Sequence, residues 1–225
     1  MRVELWSEIT CPWCGLGHHR LQQALARFEH GAELQVEHHS FQLDPSLPTD
    51  RRIPVRELLR SKYGLDEARF LELTGRIEAM AAADGLQPYR VGDNYIGNTG
   101  PAHEFLAFAQ DHGQGPQAWA LLYRTYFGEG GSVFDLPSLL ALGQALGLPG
   151  PALEESLRTG RLRARVKQDA REAQRLGATG APFLVLDRRL AVAGAQPVEV
   201  LLKALAQAWS TRNGAQYLGS VVPTE

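Results

Sequence analysis

The chain has two cysteines among its 225 residues, Cys11 and Cys14, with Pro12 and Trp13 between them. A ring closed by so near a pair adds little stability, so its use is chemical rather than architectural. The thiolate is the nucleophile in thiol–disulfide exchange, and a free cysteine, with a pKa of about 8.5, is mostly protonated at neutral pH. A helix start removes that obstacle, because its unpaired N–H groups and its dipole favour negative charge. Pro12 suits the first helical position, where a missing N–H costs nothing. The reading is therefore Cys11 exposed at the helix start as the attacking thiol. Cys14, one turn further in and more shielded, is the resolving thiol. Pro12 and Trp13 are candidate substrate contacts.

Other uses of the pair stay open. A zinc site could combine Cys11 and Cys14 with two of His18, His19, His38 and His39, since four ligands suffice. Adjacent His38 and His39 point to opposite faces of a strand, which works against convergence, and no metal is assigned. Two buried free thiols with no chemistry are the plainest alternative.

The elements that must position the pair follow from periodicity. Residues 2–7 read as a buried strand. Residues 12–29 read as a helix with Trp13, Leu16, Leu21, Leu25 and Phe28 on its apolar face, and 33–41 as a second strand. After a Pro-rich loop at 44–48 the pattern turns helical. Helices are expected over 54–62, 66–84, 99–112, 116–127, 136–147, 151–158 and 160–176, with Asp66, Thr99 and Asp135 as caps. The polar stretch 87–98 reads as a loop. Strand character returns at 183–186 and 190–193, joined by Asp187-Arg188-Arg189 as a hairpin. A last amphipathic helix covers 198–209. The expected fold is α/β: a mixed four-stranded sheet with a large all-helical insertion between its β-α-β and β-β-α halves. Its sheet domain would be 1–43 plus 178–210, its insertion 44–177, and its C-terminal tail 211–225.

A second candidate site element is Thr179-Gly180-Ala181-Pro182-Phe183, directly before the third strand. A strand-entry proline explains it as ordinary architecture. A cis Ala181–Pro182 bond would instead offer the Ala181 backbone groups to an extended substrate peptide.

Taken together, the Cys-Pro-Trp-Cys motif after strand one, the helical insertion and Gly-Ala-Pro-Phe before a hairpin resemble the DsbA family of thioredoxin-fold proteins. Asn98-Thr99 opening a helix, Tyr126-Phe127-Gly128-Glu129-Gly130, and Gly194-Ala195-Gln196 after the last strand are similar to its FrnE-like branch. The resemblance runs to about residue 210. It implies a thioredoxin-like fold, a cis Pro182 lying against the cysteines, and a redox-active Cys11–Cys14 disulfide with no bound cofactor. It also makes Asn98, Gly194, Ala195 and Gln196 candidate small-ligand residues. Two departures stand out. Many thioredoxin-fold enzymes carry a buried acid where this chain has Leu5, leaving Glu4 and Glu8 as weak substitutes. Some FrnE-like members carry further cysteines near the C-terminus, and this chain has none.

The function so implied is thiol–disulfide oxidoreductase or isomerase activity on cysteine-containing polypeptides or small thiols. It would run through a Cys11 mixed disulfide resolved by Cys14. The alternative is a glutathione-dependent enzyme of the kappa-transferase or hydroxychromene-carboxylate isomerase type, or a small-molecule role in secondary metabolism. Those relatives generally carry serine at the first cysteine position and Ser-Asp after the last strand. Cys11 and Ala195-Gln196 weigh against them, although glutathione stays a candidate co-substrate. A non-enzymatic adaptor or chaperone, with the thiols as a sensor, is a third reading.

Composition narrows the partners. The chain is 44% hydrophobic and 21% charged, with a net charge of −2, so nothing points to nucleic acid or an anionic membrane. The basic stretch Arg158–Arg175 is interrupted by Asp169 and Glu172 and reads as a solvated helix face. No leader or membrane span is recognisable, so a cytoplasmic location is expected. Nothing in the sequence sets the oligomeric state.

Overall fold

The computed structural model describes residues 1–212 and 219–221. Two compact units make up the chain: Met1–Leu43 with Lys167–Glu225, and Asp44–Val166.

The first unit opens with β1 (Arg2–Ser7), α1 (Pro12–Arg27) and β2 (Gln35–Ser40). β1 and β2 are parallel, with Leu5 opposite His38 and Trp6 opposite His39. A parallel pair needs a crossover, and α1 supplies it. Later in the chain α8 (Arg163–Arg175) leads to β5 (Phe183–Leu186), β6 (Leu190–Ala193) and α9 (Val198–Thr211). β5 pairs antiparallel with β1, and β6 antiparallel with β5. The four expected strands thus form one mixed sheet. A short fifth, β7 (Gly219–Val221), adds in parallel to the outer edge of β6. In the sequence this stretch is only part of the C-terminal tail 211–225, because three residues carry no periodicity. The rest of that tail, 213–218 and 222–225, lies outside the described residues.

Strand alternation sorts side chains to two faces. Val3, Leu5, Leu184, Leu186 and Val192 meet Leu21 and Ala24 of α1 and Leu201 and Leu205 of α9. Trp6, Phe183 and Val185 meet Phe41, Ala173 and Ala178. Each fully buried large aliphatic contributes about 1.5–3 kcal/mol relative to exposure. β1 lies between two strands and is covered on both faces, so even its polar residues Glu4 and Ser7 are buried.

The β5–β6 hairpin closes through Leu186–Arg189, with the Arg189 N–H on the Leu186 carbonyl at 2.9 Å. Asp187 and Arg188 both take positive φ, 48° and 56°, as a type I′ turn requires. That conformation is unfavourable for arginine. Here the Arg188 guanidinium is anchored on Glu4 and Glu172.

The helical unit contains α2 (Val55–Tyr63), α3 (Glu67–Ala83), α4 (Gly100–Asp111), α5 (Gly115–Tyr123), α6 (Leu136–Ala145) and α7 (Gly150–Thr159). Each falls within a few residues of its expected span. Asp66 and Asp135 cap α3 and α6, accepting from the Arg69 and Ser138 N–H groups. Thr99 sits at the α4 cap position without a side-chain cap bond. The Gly100 N–H goes instead to Asn98 Oδ1 at 2.9 Å. Beyond α5 the chain makes one π-helical turn, Arg124–Gly128, where a continuous helix is expected. Two short strands, β3 (Ile53–Pro54) and β4 (Tyr95–Ile96), pair where the sequence suggests a helix start and a loop.

The second unit boundary differs from the expected one. It falls between Val166 and Lys167, inside α8, and not after 177. Most of α8 belongs with the sheet, because the Trp6 indole donates to the Asp169 carbonyl at 2.9 Å and the Ser40 N–H donates to Asp169 Oδ2 at 3.0 Å.

Candidate functional site

The cysteines lie where β1 hands the chain to α1. Cys11 is the helix N-cap, with extended φ −81° and ψ 116°, and Pro12 follows at the first helical position. The Cys11 carbonyl accepts from the Cys14 N–H at 2.9 Å and from Gly15 at 3.3 Å, so the first turn closes on Cys11 itself. Pro12 and Trp13 are half-buried. Contrary to the exposed position expected of it, Cys11 is 8% exposed; Cys14 is completely enclosed.

The environment splits the two thiols. For Cys11, the hydrogen bond from Cys14 lowers the pKa against the opposing effect of burial. The Cys14 and Trp13 N–H groups add to the lowering, the Glu8 charge opposes it, and the net direction is down. For Cys14, burial leads, and the hydrogen bond and charge of Cys11 reinforce it. Its pKa is pushed well up even though the Glu8 N–H reaches its sulfur at 3.4 Å. The split favours ionisation of Cys11 over that of Cys14.

The loop before β5 meets this pair. Ala181–Pro182 is cis, and the Cys11 thiol donates to the Ala181 carbonyl at 3.7 Å. Pro182 is buried, and its carbonyl accepts from the Gly194 N–H at 2.9 Å. Gly17 explains how α1 comes so close. A Cβ there would stand 3.1 Å from Pro182 Cγ and 3.5 Å from Ala195. Arg20, also on α1, donates to the Ala195 carbonyl at 2.7 Å. Gly194, at φ 76°, turns the chain out of β6, and Gln196 bonds back to the Ala193 carbonyl at 2.8 Å. Gly194 and Gln196 thus border the same apolar crevice as Leu5, Gly17 and Pro182. Asn98 belongs to the helical unit, where its side-chain amide donates to the Pro45 and Leu47 carbonyls.

Leu5 is buried in the apolar core, so the usual acid position is filled with hydrocarbon. Glu8 is the acid the site does contain, at 2% exposure. Its Oε1 accepts from the Ile9 N–H at 2.7 Å and from Thr10 at 3.4 Å, and its Oε2 from Leu43 at 3.0 Å. In the sequence it reads as a weak substitute for that acid. The signal for more was its place at the end of a fully buried strand, next to the motif.

The histidines do not gather around the cysteines. His18 Nδ1 and His38 Nε2 lie 3.2 Å apart on the α1 side of the sheet. His39 stacks on Trp6 on the other side, with ring centroids 4.6 Å apart. Among the described residues, the three potential metal ligands whose donor atoms converge are Glu4, Glu37 and His39. Arg2 and Arg188 already bind those carboxylates. Among the described residues no helix is long and apolar enough to cross a membrane.

A family model described as a DSBA-like thioredoxin domain matches residues 2–206. A probable DsbA oxidoreductase from Streptomyces coelicolor is 40% identical, with a TM-score of 0.90 over 96% of this chain and 93% of its own. The fold is shared with a 2-hydroxychromene-2-carboxylate isomerase at 16% identity and TM-score 0.71, covering 95% of this chain and 98% of that one. It is also shared with the cytosolic disulfide reductase DsbM from Pseudomonas aeruginosa, solved with glutathione, at 22% identity, TM-score 0.57 and the same coverage. No curated protein matches the chain.

Proposed function

Because the chain belongs to the DsbA-like thioredoxin-domain family, we propose that it exchanges disulfides with cysteine-containing polypeptides through Cys11. In the reducing direction the Cys11 thiolate attacks a client disulfide. A Cys11–client bond forms and one client thiolate leaves. Cys14 then gives up its proton and attacks Cys11, releasing the second client thiolate and leaving a Cys11–Cys14 disulfide. Two electrons have passed to the client, and the reverse sequence oxidises it. Pro12, Trp13, Ala181 and Pro182 form the docking surface, and Asn98, Gly194, Ala195 and Gln196 are secondary candidates for small-ligand contact. Glutathione is the proposed recycling thiol, and the cytoplasm, where thiols are kept reduced, is the proposed setting. The FrnE-like placement within the family rests on the sequence motifs.

The observation that carries this reading is the Cys11 thiol, lowered in pKa at a helix start and set against the Ala181 carbonyl of the cis-proline loop. Insulin reduction and refolding of scrambled ribonuclease test it. The Cys11→Ser variant is expected to lose both activities, and Cys14→Ser to accumulate mixed disulfides with clients. Full activity in Cys11→Ser would overturn the proposal. Glutathione conjugation without disulfide exchange would favour the isomerase-type alternative.

A further inference from the structure

We propose that Glu8 is the group that sets the reduction potential of the Cys11–Cys14 couple, making it more reducing. This rests on the redox reading above. Glu8 touches both cysteines through its own backbone: its N–H lies on the Cys14 sulfur at 3.4 Å, and its carbonyl accepts the Cys11 N–H at 3.4 Å. Its carboxylate is fastened by the N–H groups of Ile9, Thr10 and Leu43. Donors aimed at both oxygens suit the ionised form, which can only accept. The charge is therefore held at a fixed place on the residue whose backbone touches both cysteines, enclosed where solvent screens it little.

The sign of its effect follows from the two redox states. The lowered pKa of Cys11 favours a thiolate there in the reduced pair, whereas the disulfide carries no charge. A neighbouring anion penalises the first state and leaves the second alone. Both thiols show that influence, since the Glu8 charge opposes ionisation of each. Stabilising the reduced form makes such a couple a strong oxidant, so destabilising it makes a stronger reductant. In a glutathione buffer, two glutathione thiols reduce the Cys11–Cys14 disulfide. Two electrons enter the pair, glutathione disulfide leaves, Cys14 takes one proton, and the other passes to solvent as Cys11 ionises. Glu8 shifts this equilibrium towards the protein disulfide. It acts through the sulfurs and is a positioning residue, not a catalytic one.

The test uses the full chain with Glu8→Gln, Glu8→Met and Glu8→Asp, equilibrated in glutathione buffers and read by thiol alkylation. Cys11 is titrated by thiolate absorbance. Either neutral variant is expected to lower the Cys11 pKa by about one unit and to shift the glutathione equilibrium constant roughly tenfold towards the dithiol, about 30 mV more oxidising. Glu8→Asp, which keeps the charge, is expected to stay within roughly threefold of the wild type. Equal shifts in Asp and in the neutral variants, or no shift in a folded neutral variant, would overturn the proposal. Where the neutral variants fail to fold, the wild type decides. Its Glu8 carboxyl carbon resonance, observed by NMR, must move as Cys11 titrates, and a stationary signal sinks the idea. Loss of the electrostatic effect with intact, Cys11-dependent insulin reduction defeats this inference alone. Cys11-independent insulin reduction defeats the redox reading beneath it.

Discussion

His38 and His39 are neighbours on β2, yet they meet opposite chemistry. His38 faces α1 on the side of Leu5. Burial drives its pKa well down, and the charges of His18 and His39 add to that. Its partner His18 is likewise lowered, to about 4, first by burial and then by His19. His39 faces Trp6 and α8. Burial also pulls its pKa down, but the carboxylates of Asp169 and Glu4, each 3.6 Å away, outweigh it and raise it to about 9. The sheet separates a neutral imidazole pair on one face from an imidazolium in an ionic network on the other. Burial alone does not decide the charge of a histidine; the carboxylates within reach do. The face towards α1 also carries the cysteine helix, and on that face the imidazoles stay uncharged.

The strongest way to break the contrast is to remove the carboxylate at the centre of the ionic face. Glu4 is completely buried. Burial raises its carboxyl, but the nearby His39, the hydrogen bond from Arg188 and the charges of Arg188 and Arg2 win, leaving it below the ordinary range. Glu4→Gln strands those cations at the sheet. Breaking a buried pair costs about 3–5 kcal/mol, and the partly exposed arginines put this case near about 3. In a chain of this size the thermal midpoint should fall by roughly 6–12 °C. The glutathione equilibrium of the cysteines should stay unchanged, because the network lies on the other face. A tenfold change in that equilibrium would show that the sheet does not insulate its two sides.

His39 gives a pH-dependent version of the same experiment. Its folded pKa stands above its unfolded value of about 6.5. The native state therefore holds a proton that the unfolded chain releases. The resulting stability is complete below about pH 6.5 and is lost as pH rises through 9, up to about 3 kcal/mol. This energy overlaps that of Glu4 and is not added to it. Urea midpoints at pH 7 and pH 10 should differ by more in the wild type than in His39→Phe, which keeps a ring against Trp6. Parallel profiles would mean that His39 is neutral in the native protein.

What the sequence made visible was local. Cys11-Pro12-Trp13-Cys14 and the hairpin at 183–193 are contiguous, and their geometry follows from residues a few positions apart. The caps at Asp66 and Asp135 are equally local. What it hid were partnerships between distant segments. Glu8 matters because Leu43 returns to its carboxylate, and Gly17 because Pro182 arrives from the far end of the chain. Alternation on β2 separated His38 from His39, as a strand's period of two requires. It could not say which would find carboxylates, since Asp169 comes from a helix that read as part of the insertion. The burial of Cys11 is not legible in its motif because it is set by more than its own helix.

The remaining contrast lies on the α1 face, where the sign reverses. His18 stands below its unfolded pKa, so the unfolded chain takes up a proton that the native pair refuses. Stability is complete above about pH 6.5 and is lost as pH falls towards 4. At pH 5 the loss from His18 alone is about 2 kcal/mol, and His38 acts in the same direction. His18→Asn should flatten the acid limb of the stability profile and leave the alkaline limb, which belongs to His39, in place. If both limbs move together, the two faces are one coupled titration, and the division of charge across β2 fails.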